Sequence, residues 1–378
     1  MKLLKVSVPS GYKMLTKNFE IDFLAKARVD KDNPDNELLE LEEDFYYPVE
    51  TVFIGKNSSG KTTTLSLIQN VYAFMRSGRI YNNFIDNENQ FELSVVYYHD
   101  GVIYDYYGKF KKDTKANDEF LIIEEESLKW AKMKQSLKKD LSNATFFAAP
   151  TFSPNIGGDT SNIIKFQSRN DFNLSIDVLG YSTSFFDLYY SILKEKTFRS
   201  LLRLFDDSID YIRPHREDDK LVGYEFKRVG NSSPIIVKND YLESVLSAGT
   251  LRGINLYGAS ILTFKAGGTI MVDEIEKSFN RNLIENLFIM FEDKTINTAK
   301  ASIIYTTHYS ELLDKNNRCD NINVLHRHDN EITLMNMRAD YKYRTDMLKS
   351  GQFNQNVFDT LINYERLMDL KEAIRHGE

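Results

Sequence analysis

The stretch Val52–Thr64, VFIGKNSSGKTTT, constrains this chain more than any other. Val52, Phe53 and Ile54 read as the end of a buried strand. The residues Gly55-Lys56-Asn57-Ser58-Ser59-Gly60-Lys61-Thr62-Thr63 follow, and Gly55 to Thr62 fit G-x-x-x-x-G-K-[ST] without a mismatch. Leu65, Leu67, Ile68, Val71, Tyr72 and Met75 then recur at helical spacing. Strand, glycine loop and helix together argue against a chance glycine turn. The two glycines let successive backbone N–H groups point inward at an anion. The helix N-terminus adds free donors and partial positive charge. Lys61 would reach the β- and γ-phosphates of a nucleotide and the Thr62 hydroxyl would hold Mg²⁺, so ATP and magnesium are the expected ligands.

Composition limits the rest. The chain has 378 residues, 42% hydrophobic and 27% charged, a balance that suits one large two-lobed domain or two smaller ones. A net charge of −7 excludes a basic surface spread over the whole protein, though not a local basic groove. Cys319 is the one cysteine, so neither an intrachain disulfide nor a cysteine zinc cluster is available. The histidines are scattered and form no HExxH. No leader and no membrane-length apolar run is visible, which predicts a cytoplasmic protein. The 25 Phe and 22 Tyr are read as core filling in preference to base stacking.

Taken in order, Lys2–Val8 and Phe19–Leu24 alternate like strands. Asp30–Asp44 is acidic; its opening resembles a calcium loop, but Pro34 and Asp35 occupy positions that need a ligand and a glycine, so a solvated loop is expected. Pro48 introduces the strand Thr51–Ile54. After the first helix, Phe91–Tyr98 and Val102–Phe110 flank Asp100-Gly101, a strong hairpin signal. A helix is expected over about Glu124–Leu141, with Trp130, Met133, Leu137 and Leu141 on one stripe. Its lysines (Lys129, Lys132, Lys134, Lys138, Lys139) read as a solvated face rather than a nucleic-acid contact. Residues 142–180 read as a loop around Pro150, Pro154, Gly157 and Gly158. A long helical pattern runs from Ser182 to about Ile212, and a short β segment is expected at Val222–Arg228, ahead of Pro234–Val237. Near the end, Ile322–Arg327 and Ile332–Met337 form a hairpin pattern around Asp329-Asn330. A last helix, about Val357–Ile374, is expected to pack on the body of the protein, the alternative being to dock a partner subunit.

Three further segments carry chemistry. Leu246-Ser247-Ala248-Gly249-Thr250 opens a helix, with Ser247 a good N-cap. Thr269–Val272 is a buried strand ending in Asp273-Glu274. Ser302–Thr307 is another, ending at His308. Each alone is weak; in this order with the phosphate loop they are strong. Phosphoryl transfer needs positioning and charge neutralisation. Asp273 suits Mg²⁺, Glu274 suits a general base for water, and His308 suits a hydrogen bond to the γ-phosphate.

With LSAGT, GKNSSGKT, IMVDE and TTH, the chain resembles the ATPase heads of the ABC type found in SMC and RecF proteins. It is more similar still to the AAA-labelled OLD-like ATPases, in which a signature ending Ser-x-Gly-Thr, an Asp-Glu-Ile-Glu strand end and Thr-Thr-His occur together. Asp273-Glu274-Ile275-Glu276-Lys277-Ser278 fits that pattern. The resemblance implies an α/β fold: an ABC-type P-loop ATPase head, a mixed sheet with helices, carrying an inserted helical lobe. Residues 1–345 would form the head, with a core lobe of about 1–110 and 265–345 and a signature lobe of about 111–264. Residues 346–378 would be a C-terminal helical segment. The resemblance also implies a head-to-tail dimer or higher homo-oligomer in which Ser247, Ala248 and Gly249 of one copy close on the nucleotide of another. Ala248 departs from the usual glycine, and Asn280 stands where a D-loop Asp or His is usual. Gln90 and Gln167 are both candidates for the Q-loop, and Tyr46 and Tyr47 for stacking on adenine.

Among the functions such a head can serve, a transporter subunit and a coiled-coil DNA tether are disfavoured, since neither a membrane segment nor a heptad run is visible. The chain resembles ATPase subunits of bacterial anti-phage systems, of the PARIS AriA-like or AbiL/RloA-like kind. That resemblance implies a sensor or switch that controls a separately encoded nuclease or Toprim-type effector, with a phage protein as a candidate trigger. The rival expectation is a DNA-binding repair ATPase similar to RecF and SMC.

Overall fold

The computed structural model describes residues 1–30, 36–85, 89–112, 119–133, 147–148, 158–161, 163, 176–178, 186–238, 241–277, 280–341, 344, 347–360 and 364–376. Contacts divide the chain into two compact units. The first comprises Met1–Phe172 and Tyr305–Glu378, the second Asn173–Ile304.

In the first unit, β1 (Lys2–Val8), β2 (Phe19–Asp22), β3 (Leu38–Glu42), β4 (Phe45–Pro48) and β5 (Glu50–Gly55) precede helix α1 (Lys61–Ser77). Then come β6 (Gln90–His99), β7 (Val102–Lys111), β8 (Ile122–Lys132) and β9 (Phe147–Ala148). One sheet has the order β2-β1-β6-β7-β8-β9. The β6–β7 hairpin turns at Asp100 (φ 45°) and Gly101 (φ 75°). Two consecutive positive φ angles match the right-handed twist of the paired strands, which is why Asp-Gly marks such turns. Helix α1 buries Leu65, Leu67, Ile68, Val71, Tyr72 and Met75, as its spacing predicts, and also Phe74. Phe74 lies 5.3 Å from Tyr106 and 5.6 Å from Phe110, ring to ring, which fastens the helix to β7.

The second unit holds β10 (Ile176–Val178), helices α2 (Phe186–Ile192) and α3 (Glu195–Phe205), and the sheet β11 (Ile209–Glu217), β12 (Lys220–Arg228) and β13 (Ile235–Lys238). Helix α4 (Ala248–Ala266), β14 (Thr269–Val272) and helix α5 (Arg281–Glu292) follow. β10 runs parallel to β14. Strand β15 (Ser302–Thr307) begins in this unit and ends in the first. Back in the first unit, β16 (Ile322–His328) runs parallel to β5 and antiparallel to β17 (Glu331–Asn336). Parallel and antiparallel pairs make the sheet mixed, as an α/β fold of this kind requires. Helices α6 (Lys349–Asn354) and α7 (Tyr364–His376) end the chain. No described helix is long and apolar enough to cross a membrane.

Several expectations from the sequence are corrected. The helix expected from Glu124 is strand β8 as far as Lys132, paired along β7; residues 134–141 lie outside the described ones. Glu and Lys are good helix formers, but tertiary pairing overrides that preference. The pattern from Ser182 to Ile212 is two helices and a strand. Lys194 is extended (ψ 142°) and separates α2 from α3. A shift in register between Ile209 and Tyr211 lets Ile209 and Ile212 both bury, which imitates helical spacing inside a strand. The acidic loop holds β3, which turns at Asp44 (φ 60°) into β4; Pro48 ends β4 rather than opening β5. Most of 142–180, including Pro150, Pro154 and Gly157, lies outside the described residues. The terminal hairpin is present, with its turn at Asp329 (φ 53°). The last helix begins at Tyr364, and Leu367, Leu370 and Ile374 are exposed rather than packed on the body of the protein. Leu361 and Ile362 lie outside the described residues.

A buried ion pair locks the entry to β16. Arg318 and Asp320 are only 4% and 3% exposed. Arg318 Nε and Nη2 donate to the two Asp320 oxygens at 3.0 and 2.6 Å. Asp320 also accepts from Ala27 N at 2.6 Å, so the pair fastens the loop after β2. Removing one partner leaves a buried charge without its mate. Asp320→Ala should therefore destabilise the protein by roughly 3–5 kcal/mol, read from urea unfolding. A loss below about 1 kcal/mol would show that the pair does not anchor this loop.

Candidate functional site

In the first unit, β5 is buried along its whole length and delivers Gly55 to the loop. A Cβ on Gly55 would come 2.5 Å from both the Leu325 carbonyl and Ser59 Oγ, so no side chain fits. Ser58 (φ 62°) and Gly60 (φ 96°) are both left-handed and turn the chain on itself. Gly60 is the N-cap of α1; no side chain caps this end, and no acid lies in the first turn. The first N–H groups of α1 thus lack a capping side chain and form an anion site. Lys61, 6% exposed, donates from Nζ to Gly55 O at 2.9 Å and Lys56 O at 2.8 Å. Ser59 Oγ is buried without a hydrogen-bond partner. A buried lysine, an unpaired buried hydroxyl and two glycines that let the loop turn tightly fit a phosphate chain. Asn57, Ser58 and Thr62 are exposed; Lys56 and Thr63 are half-buried.

The same unit holds the end of β15. Thr306 and Thr307 are fully buried, and His308 is exposed immediately after them. Tyr305 OH donates to Glu50 Oε2 at 3.2 Å, linking this strand end to β5. The phosphate loop has a neighbour that sequence reasoning missed. Lys56 Nζ lies 3.2 Å from Asp359 Oδ1, in the segment between α6 and α7. Burial raises the Asp359 pKa, but the hydrogen bond and charge of Lys56 outweigh it and hold the carboxyl below its usual range. Nearby, His326 Nε2 hydrogen-bonds Tyr341 OH. Burial holds the His326 imidazole below its ordinary value, against the opposing pull of Asp359. No local pattern links residues this far apart in the chain.

The second unit holds the other two segments. Ser247 is the N-cap of α4 and accepts from Thr250 N at 3.0 Å. Ser247 and Ala248 are exposed and Gly249 is half-buried. The body of α4 is pressed against its neighbours. A Cβ on Gly253 would fall 2.1 Å from the Phe205 ring, and one on Gly258 about 3.0 Å from Tyr189. Strand β14 is buried throughout and ends at Asp273 and Glu274, both half-buried. Glu274 has φ 48°, a left-handed conformation that non-glycine residues avoid. Lys277 closes the turn, donating its N–H to Glu274 O at 2.9 Å and placing Nζ 3.4 Å from Glu274 Oε2. Arg252, on α4, donates to Asp273 O at 3.2 Å and Lys277 O at 2.7 Å. Asn280 caps α5 by accepting from Asn282 N. Ser278 lies outside the described residues. Among the described residues, no group of three or more His, Cys, Asp or Glu could hold a metal on its own.

Two secondary candidates change. Tyr47 is 1% exposed, with Lys2 Nζ 5.4 Å above its ring, so it is a core residue and not a platform for adenine. Tyr46 is half-buried. Gln90 opens β6, exposed, with Nε2 3.4 Å from Glu124 Oε2; Gln167 lies outside the described residues.

The loop geometry makes a testable demand. Gly60 and Gly230 both have positive φ, but only at Gly60 would a Cβ meet a neighbour, Ile332 Cδ1 at 2.5 Å; at Gly230 it meets nothing within 4 Å. Gly230→Ala should lose about 1 kcal/mol from backbone strain alone. Gly60→Ala should lose about 1–3 kcal/mol more by urea unfolding, because Ile332 must also move. Equal losses would show that contact with Ile332 does not matter.

Residues 51–314, well over half of the chain, match the protein family described as "AAA domain, putative AbiEii toxin, Type IV TA system". No curated protein matches the chain. Among solved structures, the chain is similar to the SMC head domain from Thermotoga maritima, at 12% identity and a TM-score of 0.41, over 90% of this chain and 100% of that one. It is also similar to cbiO1 from Clostridium perfringens, described as part of the ABC transporter complex cbiONQ, at 14% identity and a TM-score of 0.35, over 98% of this chain and 100% of that one. With its buried strand, glycine loop, lysine and helix in the matched region, the chain is a P-loop protein of the ATPase class and belongs to the AAA-domain family of putative AbiEii toxins.

Proposed function

We propose that this protein binds and hydrolyses ATP as an ABC-type head, and that the cycle is a switch in bacterial anti-phage defence controlling a separately encoded nuclease or Toprim-type effector. The observation that carries the ATP reading is the phosphate loop, where buried Lys61 rests on the loop's own carbonyls beneath a helix end without a capping side chain. The defence reading is supported by the family description, which names a toxin and a type IV toxin–antitoxin system.

The chain's residues divide the work. Lys56 to Thr63 hold the phosphates, Lys61 neutralising the transferring group. Thr62 and Asp273 would hold Mg²⁺, which supplies charge neutralisation at the phosphate oxygens. Glu274 takes the proton of the attacking water as the bond to the leaving phosphate oxygen breaks, giving ADP and phosphate. His308 donates a hydrogen bond to the transferring phosphoryl group. Ser247 and the N–H of Gly249, at the exposed end of α4, serve the nucleotide of a second copy. Binding then closes two copies and hydrolysis releases them, a change an effector can read.

Glu274→Gln should keep ATP binding, lower turnover about 100-fold or more, and trap an ATP-dependent assembly visible by light scattering. Lys61→Ala should lose nucleotide binding itself. Unchanged turnover in either variant would remove the corresponding assignment. Ser247→Arg should abolish hydrolysis while the free subunit still binds nucleotide, because the residue acts on another copy's ATP; normal turnover would refute the shared site. Co-purification of the trapped assembly with the product of the adjacent gene tests the effector. Hydrolysis strongly stimulated by DNA, and losing that stimulation in high salt, would instead favour the repair reading.

A further inference from the structure

We infer that Arg252 is a positioning residue that holds the Asp273–Lys277 turn in the shape from which Glu274 acts, and so ties the general base to the helix that starts at Ser247. The inference rests on the ATP reading above and adds to it a role for Arg252, two residues after Thr250.

The guanidinium spans the turn. Nη2 donates to Asp273 O at 3.2 Å, before Glu274, and Nη1 to Lys277 O at 2.7 Å, after it. Arginine suits this role because its donors are fixed in a planar fork and its charge does not titrate. Hydrogen bonds from a charged donor are also shorter and stronger than neutral ones. The turn needs such a brace, since Glu274 is left-handed at φ 48°. A strained conformation persists only where its surroundings over-determine it. The Lys277 N–H bond to Glu274 O closes the turn from within, and Arg252 closes it from outside.

The support behind Arg252 is equally constrained. At Gly253 the helix backbone is pressed against Phe205, so the point from which Arg252 springs cannot slide. One turn on, Tyr257 OH donates to Leu283 O at 2.6 Å, pinning the same helix to α5, which follows the turn. Helix α4 therefore grips the Glu274 turn and the helix after it. Arg252 sits five residues after Ser247 on one rigid rod, so a shift of the helix start moves Arg252 with it.

The test compares Arg252→Ala, Arg252→Lys, Glu274→Gln and the double variant Arg252→Ala/Glu274→Gln in the full chain. The readouts are kcat and KM for ATP and binding of a fluorescent ATP analogue. A small misplacement of a catalytic group is enough to cost orders of magnitude. Arg252→Ala should lower kcat about 10- to 100-fold with analogue affinity within about threefold of the parent. Arg252→Lys, which keeps one charged donor, should recover part of the loss. The double variant should be no slower than Glu274→Gln alone, because the two residues act as one unit. A kcat for Arg252→Ala within twofold of the parent, or a double variant slower by the full single-mutant factor, overturns the inference. Should Arg252→Ala fail to fold by thermal melting, Arg252→Gln carries the same criteria. Full activity in Glu274→Gln would remove the general-base assignment and this inference together; loss there with none in Arg252→Ala removes this inference alone.

Discussion

A lysine that is 6% exposed governs the first unit. Burying a charge is costly unless it is hydrogen-bonded, and Lys61 is bonded to two carbonyls of the loop that precedes it. Those carbonyls reach it because the loop turns through left-handed Ser58 and Gly60. The loop can turn so tightly because Gly55 leaves no Cβ against Leu325 and Ser59. β5 and β16 in turn hold Gly55 opposite Leu325 in a parallel pair. Each step depends on the next, and the result is a charge already in place before any ligand arrives. Preorganisation of this kind spares a ligand the cost of ordering the loop.

The segments that are legible in the sequence are those whose structure is set locally. The glycine loop, the Asp100-Gly101 hairpin and the apolar face of α1 each need only neighbouring residues to declare themselves. The elements that escape a reading of the sequence depend on distant partners. β8 is rich in Glu and Lys and becomes a strand because β7 is there to pair with it. Ile209 and Ile212 look helical because one extra residue interrupts the register of β11. Tyr47 reads as available for stacking because nothing near it in the chain reveals that Lys2 covers its ring. Lys56 and Asp359 meet from opposite ends of the sequence, and Arg252 finds carbonyls 21 and 25 residues away. Such contacts leave no periodic trace.

Helix α4 shows how a local cost marks a tertiary purpose. Glycine inside a helix is destabilising by about 1 kcal/mol relative to alanine, and α4 carries Gly253 and Gly258 in its interior. Both positions lie where an aromatic ring approaches too closely for a Cβ: Phe205 at the first and Tyr189 at the second. The helix gives up intrinsic stability for close packing against α3 and α2. From Thr250 onward it is mostly buried, while Ser247 and Ala248 remain exposed. A rod locked along its body and open at its N-terminus is a stiff platform whose donors and partial charge face outward.

That stiffness gives the left-handed Glu274 its meaning. A strained residue at a strand end would relax in a loose setting, and here two different elements prevent it. Lys277 bonds its carbonyl from inside the turn, and Arg252 holds the flanking carbonyls from α4. The carboxylate therefore projects from a backbone whose shape is set by the same helix that begins at Ser247. Were α4 merely a core helix, neither its exposed first turn nor its charged fork over the Asp-Glu turn would serve its packing. Both features follow at once under the proposed function, in which one helix meets two demands, an anion at its N-terminus and a base held beside its first turns.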